Sequence, residues 1–250
     1  MSLNEAGSET SLGVKGPSAL RGVVDRMAAY GADWVKLFGD TGWVDPPKYS
    51  EEELSAMVHE AHRKGMKLAI HSIGPEDNHR SVRCGVDSIE HGIEIRNEDL
   101  HRMRETGIFL VPTLSVLKFA QGLPGMQDKG PFASLSTKRF NFSACIERAS
   151  EDRLFGTDAG AISLEGTDWD TANPAQQVGL MVDLGMEPME AIKSGTSVAA
   201  ELLGMNDQLG SIVAGKLANI IAVPGDTLND IRQLERVDFV MKDGKRIATH

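Results

Sequence analysis

The sequence predicts an α/β protein with a parallel sheet, and two observations support this class. Short apolar runs typical of buried strands alternate with longer segments in which apolar residues recur at helical spacing. Five such strands can be counted along the 250 residues, and segments of helical length separate them. This pattern suits either a doubly wound sheet or part of a (βα)8 barrel.

Start and stop residues bound the predicted helices of the first half. The first helix carries apolar residues at helical spacing and ends at Gly31. The second begins with Ser50 and Glu53 in capping-box spacing and ends at Gly65. The predicted helices of this half are the segments 17–30, 50–64, 76–84 and 97–106.

The predicted strands alternate with these helices. In chain order they are "DWVKLFGD", "MKLAIH", "VDSIEHG", "IFLVPTLS" and "DRLFGTD". Before the fifth strand, the irregular segment 118–138 predicts a loop of the kind that covers a site, and 138–151 predicts a helix.

The second half continues with helices and ends differently. Helical patterns follow in 174–185, 187–195 and 196–204. The segments 216–226 and 237–248 are strand-like, and "KDGK" within the latter is a hairpin turn signal. The tail therefore predicts a small β subdomain.

Polar side chains stand at the ends of the predicted strands, where parallel α/β folds bind their ligands. The five strands supply Lys36, His71, His91, Thr113 and Asp158. Imidazole nitrogen and carboxylate oxygen suit Zn²⁺, Mn²⁺ or Fe²⁺, so this composition predicts a metal site.

Each of these residues alone has an ordinary explanation. A strand-end histidine is often a hydrogen-bonded structural residue, Lys36 could face solvent, and Asp158 could cap a helix. Two histidines on successive strands, joined by Asp158, weigh against that explanation. A lysine inside an apolar strand also permits a Schiff-base nucleophile in an aldolase-like barrel, but the two histidines then have no role. The other histidines are not assigned to the site: His59, His62, His79, His101 and His250.

Composition excludes several classes of partner. A formal net charge of -10 argues against a nucleic-acid or anionic-membrane surface, because phosphates are repelled. No apolar run reaches the roughly 20 residues that cross a bilayer, and the first residues lack the apolar core of a signal peptide. We therefore expect a cytoplasmic protein with a small-molecule substrate. Cys84 and Cys145 lack disulfide-framework or zinc-site spacing and are expected to be reduced.

Seven motifs from about Pro17 to the C-terminus resemble the amidohydrolase superfamily, in the metal-dependent branch of Xaa-Pro dipeptidases, related carboxypeptidases and imidazolonepropionases. They are "GADWVKLFG", "HRKGMKLAIHSIG", "GVDSIEHG", "FLVPTL", "FGTDAG", "GTSVAAELLGM" and "LGSIVAGKLANIIAV". The resemblance implies a partial (βα)8 TIM-type barrel, made of the last five βα units, over residues 17–208. An N-terminal tail at 1–16 precedes it, and a small β subdomain at 209–250 follows.

The resemblance also implies roles for the strand-end residues. In that family the lysine matching Lys36 is commonly carboxylated and bridges two metal ions, and the histidines matching His71 and His91 bind the more exposed metal. The aspartate matching Asp158 binds the more buried metal and acts as the general base. We therefore expect these four residues to bind one or two divalent ions, with zinc the first choice. The implied reaction is hydrolysis of a C–N bond in a dipeptide, an N-acyl amino acid or a cyclic amide by metal-activated water.

Two departures from the family pattern qualify this expectation. No H-x-H motif occurs in the sequence, and the upstream strands that carry it in the family have no counterpart here. "HSIG" replaces the commoner "HAHG", so a second polar side chain beside His71 is missing. The chain thus resembles an N-terminally truncated member, and the alternative hypothesis is a catalytically incomplete barrel acting as a fragment, binding module or oligomerisation module. The edges of an open barrel predict a homo-oligomer.

Overall fold

The structure is a computed structural model, and it describes residues 14–40, 46–114 and 174–247. The described residues belong to two compact units. One ends at Val111, and the other contains 112–114 and 174–247. Each unit is described by itself.

The first unit is built on a parallel sheet. Its four strands pair in chain order, each parallel to the next, which confirms the predicted α/β class. The strands are β1 (Trp34–Phe38), β2 (Lys67–Ser72), β3 (Ser88–His91) and β4 (Phe109–Val111). The fifth predicted strand, 152–158, lies outside the described residues, as do the predicted loop 118–138 and helix 138–151.

Helices connect these strands where the sequence predicts them. They are α1 (Pro17–Ala29), α2 (Glu51–Arg63), α3 (Pro75–Cys84) and α4 (Asn97–Thr106). The capping box of α2 is confirmed, because Ser50 Oγ accepts from the Glu53 amide and the Glu53 carboxylate accepts from the Ser50 amide. Helices α3 and α4 both end at a glycine with positive φ, Gly85 and Gly107.

The two faces of β1 have different environments. Val35 and Leu37 on one face are fully buried, while Trp34, Lys36 and Phe38 on the other are partly exposed. Because side chains alternate across a strand, Lys36 lies on the more open face with two aromatic neighbours. This is the face on which a polar site can form.

The second unit combines short helices with a three-stranded antiparallel sheet. Its elements are α5 (Pro174–Asp183), α6 (Pro188–Lys193), α7 (Ala199–Leu202), β5 (Ile220–Ala222), β6 (Phe239–Lys242) and β7 (Lys245–Ile247), with a 3₁₀ helix at Ile231–Glu235. The predicted hairpin is confirmed: Asp243 and Gly244 join β6 to β7 with φ of 51° and 75°.

One helix differs from its predicted boundaries. The pattern 196–204 predicts a separate helix, but a π-helical turn, Ser194–Val198, joins α6 to α7 without a break. The hydroxyls of Ser194 and Thr196 donate to the carbonyls of Ala191 and Ile192, at 2.7 and 2.8 Å. Such bonds compete with the regular helical ladder and favour a local change in its winding.

None of the described helices has the length and apolar character that would cross a membrane. Cys84 is a free thiol, and Cys145 lies outside the described residues. The domain boundaries at 16/17 and 208/209 stay predictions.

Candidate metal centre

Three of the four predicted metal ligands lie on neighbouring strands of the first unit. Lys36 is in the middle of β1, His71 is near the end of β2, and His91 is the last residue of β3. The register pairs Ser72 with His91, so the two histidines are offset by one residue along adjacent strands. Asp158 lies outside the described residues.

The two imidazole rings are in contact, and we call His71 and His91 the strand-end pair. Their ring centroids are 4.4 Å apart, with an interplanar angle of 73°. Strict alternation would put His91 on the face opposite His71, because His91 pairs with Ser72. Instead His91 has a left-handed backbone, with φ of 72°, which turns its side chain toward its neighbour. Strain of this kind is concentrated at functional sites.

A glycine makes this turn possible. Gly92, with φ of 55°, follows His91, and a Cβ there would fall 2.4 Å from Leu110 Cδ1 and 2.7 Å from Ile95 Cδ1. Any larger residue would displace these buried side chains. The sequence "EHG" therefore encodes both the ligand and the backbone bend that presents it.

His91 is held in its neutral form. Burial, with the added positive charge of Lys36, lowers the pKa of His91 to about 4. A histidine must be unprotonated to bind a metal, and His91 meets that condition at pH 7. The Lys36 charge therefore acts on His91.

His71 is enclosed on several sides. The ring of Phe38 stacks on it with centroids 5.1 Å apart, and Lys48 Nζ lies 5.8 Å from the centre of the Phe38 ring. Asp40, which follows β1, places Oδ1 3.8 Å from His71 Nε2. Its Oδ2 accepts hydrogen bonds from the amides of Ile73 and Gly74 at 2.9 and 2.8 Å.

A second buried carboxyl, Asp77 of α3, lies close to Asp40. It is 3% exposed, and burial, with the negative charge of Asp40 adding to the effect, raises its pKa to about 6. The nearby Ser72 hydroxyl acts in the opposite direction and lowers the pKa of Asp77. Among the described residues, however, Ser72 Oγ and Asp77 Oδ2 make no well-formed hydrogen bond. A Cβ on Gly39 would fall 2.0 Å from Asp77 Oδ2, so only glycine fits there.

Asp40 and Asp77 are not among the residues that the sequence motifs predict. Asp40 carries a signal, because it is a carboxylate that directly follows a buried strand bearing a candidate ligand. Asp77 carries none, since an acidic residue in the first turn of a helix is ordinary. Their roles become visible only from burial and distances.

The structure also describes Thr113, His62 and His79. Thr113 is buried in the second unit with φ of 48°. His62 bonds Asp87 at 2.8 Å, and its side chain is 46% exposed. His79 bonds Asp99, also at 2.8 Å.

With Glu98, the pair of His79 and Asp99 forms a group whose ligand atoms lie within 4.8 Å of one another. The hydrogen bond between α3 and α4 accounts for the position of His79 and Asp99. Glu98 is exposed, so we assign no cation to this group.

The donor set of the strand-end pair fits a divalent metal ion. Two imidazoles in contact offer nitrogen donors of the kind that zinc binds, and His91 is neutral at pH 7. The positive charge of Lys36 opposes a cation at this position. The fit therefore requires Lys36 in a neutral or anionic form.

The fold and the strand-end pair define a parallel α/β protein whose candidate site lies at the carboxyl edge of its sheet. The chain belongs to the amidohydrolase family, whose family model matches residues 15–247. This confirms the resemblance seen in the sequence motifs.

Several relatives share this fold. The crystal structure of a Xaa-Pro dipeptidase with bound methionine has a TM-score of 0.81 and 34% identity, over 94% of this chain and 59% of that chain. Ochratoxinase of Aspergillus niger is 29% identical over 244 residues, which are 92% of this chain and 49% of that protein. Its crystal structure has a TM-score of 0.77 and 25% identity, over 93% of this chain and 54% of that chain.

An uncharacterized protein of Mycobacterium tuberculosis is 29% identical over 198 residues, which are 75% of this chain and 51% of that protein. The chain thus spans about half the length of the curated relatives it matches.

Proposed function

We propose that the protein is a metal-dependent hydrolase of amide-type C–N bonds and that the strand-end pair binds its metal ion. The observation that carries the proposal is the contact of the His71 and His91 rings, 4.4 Å apart, at the carboxyl ends of parallel strands. Membership of the amidohydrolase family supports it. Similarity to a Xaa-Pro dipeptidase and to ochratoxinase supports the hydrolysis of amide-type bonds.

The residues of this chain have separate roles in the proposal. His71 and His91 donate ring nitrogens to the ion, for which zinc is the first choice. The Lys36 ammonium would release two protons in all as Nζ adds to CO₂, and the resulting carbamate would replace a repelling cation with an anion that could help to hold the metal. Asp158 is both a ligand and the general base. When bound, the ion polarises the scissile carbonyl and lowers the pKa of a water molecule.

The proposed substrates are a dipeptide, an N-acyl amino acid or a cyclic amide. Water adds to the carbonyl carbon, the C–N bond breaks, and the leaving nitrogen receives a proton, so that a carboxylate and an amine are formed. Lys48 places a positive charge over the Phe38 ring, which stacks on His71. This charge favours substrates that carry a carboxylate near the reacting bond.

A metal-reconstitution assay tests the proposal. The chain is treated with a chelator, reloaded with zinc or manganese in the presence of bicarbonate, and assayed for amine release from the three substrate classes. His71→Ala and His91→Ala should abolish the release. His59→Ala is the matched control, because His59 is exposed on α2. Hydrolysis that survives both chelation and the two site substitutions would contradict the proposal, as would a reloaded chain that hydrolyses none of the three classes.

An apolar groove in the second unit favours a second candidate, a binding or oligomerisation module. Leu203, Ile212, Val213 and Ile221 line a groove of about 610 Å³, and Ile212 is 84% exposed. Patches of this kind mark association surfaces. Light scattering should therefore show a homo-oligomer that Ile212→Ser weakens, whereas Tyr30→Ser, at a 75% exposed residue of the first unit, has no effect. A monodisperse monomer would rule out the oligomerisation module.

We further propose that the protein is a partial (βα)8 barrel with a C-terminal β subdomain. Its substrate is a small molecule, and its site of action is the cytoplasm. The four parallel strands and the separate antiparallel sheet support the architecture.

A further inference from the structure

Asp40 fixes the backbone that follows the strand bearing His71. Its carboxylate is 1% exposed, and Oδ2 accepts from the amides of Ile73 and Gly74. Gly74 is the N-cap of α3 and has no capping side chain of its own. Asp40 therefore supplies, from the segment that follows β1, the acceptor that the start of this helix lacks.

The other oxygen of the same carboxylate faces the imidazole. Oδ1 lies 3.8 Å from His71 Nε2, which is beyond hydrogen-bond distance but close enough for the carboxylate charge to favour an N–H at that nitrogen. Phe38 stacks on the ring, and His91 contacts it edge-on. The ring thus has two aromatic neighbours, and its Nε2 lies near a buried carboxylate.

We infer that Asp40 is a positioning residue for His71, which keeps the proton of the neutral imidazole on Nε2 and leaves the Nδ1 lone pair for a metal ion. A carboxylate can only accept hydrogen bonds, so the nitrogen that faces it is favoured as the N–H. Metal-binding histidines are commonly oriented by such a carboxylate on their other nitrogen. The inference rests on the proposed function, because metal binding is what gives the choice of nitrogen a consequence.

The substitution Asp40→Asn separates this role from the structural one. Asparagine keeps one oxygen, and the amides of Ile73 and Gly74 require that acceptor. Its NH₂ group must then take the place of Oδ1 and face His71 Nε2 with donors. The imidazole responds by moving its proton to Nδ1, and the lone pair proposed for the metal is lost. The fold is retained because the two backbone hydrogen bonds remain.

The test is a spectroscopic measurement on the metal-free chain. Long-range ¹H–¹⁵N NMR at a pH well above the ordinary imidazole pKa of about 6.5 reports which nitrogen carries the proton. His71→Ala identifies the His71 signals. Wild type should show Nε2–H, and Asp40→Asn should show Nδ1–H with zinc affinity weakened by about 10- to 100-fold, measured against a chromogenic chelator.

Asp77→Asn is the matched control. It makes the same change at a neighbouring buried carboxyl, and the tautomer of His71 should stay Nε2–H. An Nδ1–H tautomer in wild type, or an unchanged tautomer in Asp40→Asn, would overturn the inference. Because Nε2–H is also the commoner tautomer of a free neutral histidine, the change caused by removing the carboxylate carries the test; if Asp40→Asn does not fold, Asp40→Ser takes its place and should raise the share of Nδ1–H. A wild-type chain that binds no zinc contradicts the proposed function instead, and the metal-free spectra still test Asp40.

Discussion

The buried carboxyl of Asp77 should make the stability of the protein depend on pH. Burial, and beside it the charge of Asp40, raises the pKa of Asp77 from 3.8 to about 6. The folded state therefore holds this proton more tightly than the unfolded state does. Its contribution to stability is fully present below pH 3.8 and is lost as the pH rises through about 6.

The size of the effect follows from the difference in pKa. About two pKa units correspond to about 3 kcal/mol in total, at about 1.4 kcal/mol per unit. Of this, about 1.3 kcal/mol is lost between pH 5 and pH 7. Asp77→Asn removes the titration. The free energy of unfolding of this variant, relative to wild type, should therefore rise by that amount over the same interval.

Urea unfolding at pH 5 and pH 7, followed by circular dichroism, measures this change. Comparing Asp77→Asn with wild type at two pH values cancels any constant cost of the substitution, such as an altered contact with Ser72. Glu76→Gln is the control for net charge, because Glu76 precedes Asp77 on α3 with a side chain that is 68% exposed. A difference between Asp77→Asn and wild type that is the same at both pH values would refute the reasoning.

Two further substitutions test the packing and capping that support the site. Gly39→Ala should destabilise the protein by about 1–3 kcal/mol, because the new Cβ would meet Asp77 Oδ2. Gly22→Ala in α1 is the control and should be neutral or stabilising, because no atom lies within 4 Å of its Cβ. Equal urea midpoints for the two variants would contradict this prediction. Ser50→Ala should lower the free energy of unfolding by about 1 kcal/mol through loss of the capping box of α2, and Ser50→Thr should retain most of that stability. Thermal or urea unfolding measures both variants. Unchanged stability in Ser50→Ala would show that the cap contributes nothing.

The sequence predicts the elements of the first unit well because its signals are local. The capping box at Ser50, the glycines that end the helices and the apolar strand runs each depend on a few neighbouring residues, and all are confirmed. The hairpin turn at Asp243 is predictable for the same reason.

The candidate site is only partly predictable, since its geometry depends on contacts between strands. Both histidines are found from their positions, but alternation alone would separate them, and the left-handed backbone at His91 brings the rings together. Asp40 accepts hydrogen bonds from amides more than 30 residues further along the chain, and no local sequence pattern predicts such contacts. The winding of the chain at Ser194 depends likewise on side-chain bonds that the helical pattern does not reveal.

Metal content shows directly whether the strand-end pair binds a metal ion. Plasma mass spectrometry would be applied to the chain grown with added zinc or manganese and bicarbonate, beside His71→Ala, His91→Ala and the exposed control His59→Ala. We expect near-stoichiometric metal in wild type and the control, and its loss in both site variants. A wild-type chain without metal, or site variants that retain it, would contradict the claim.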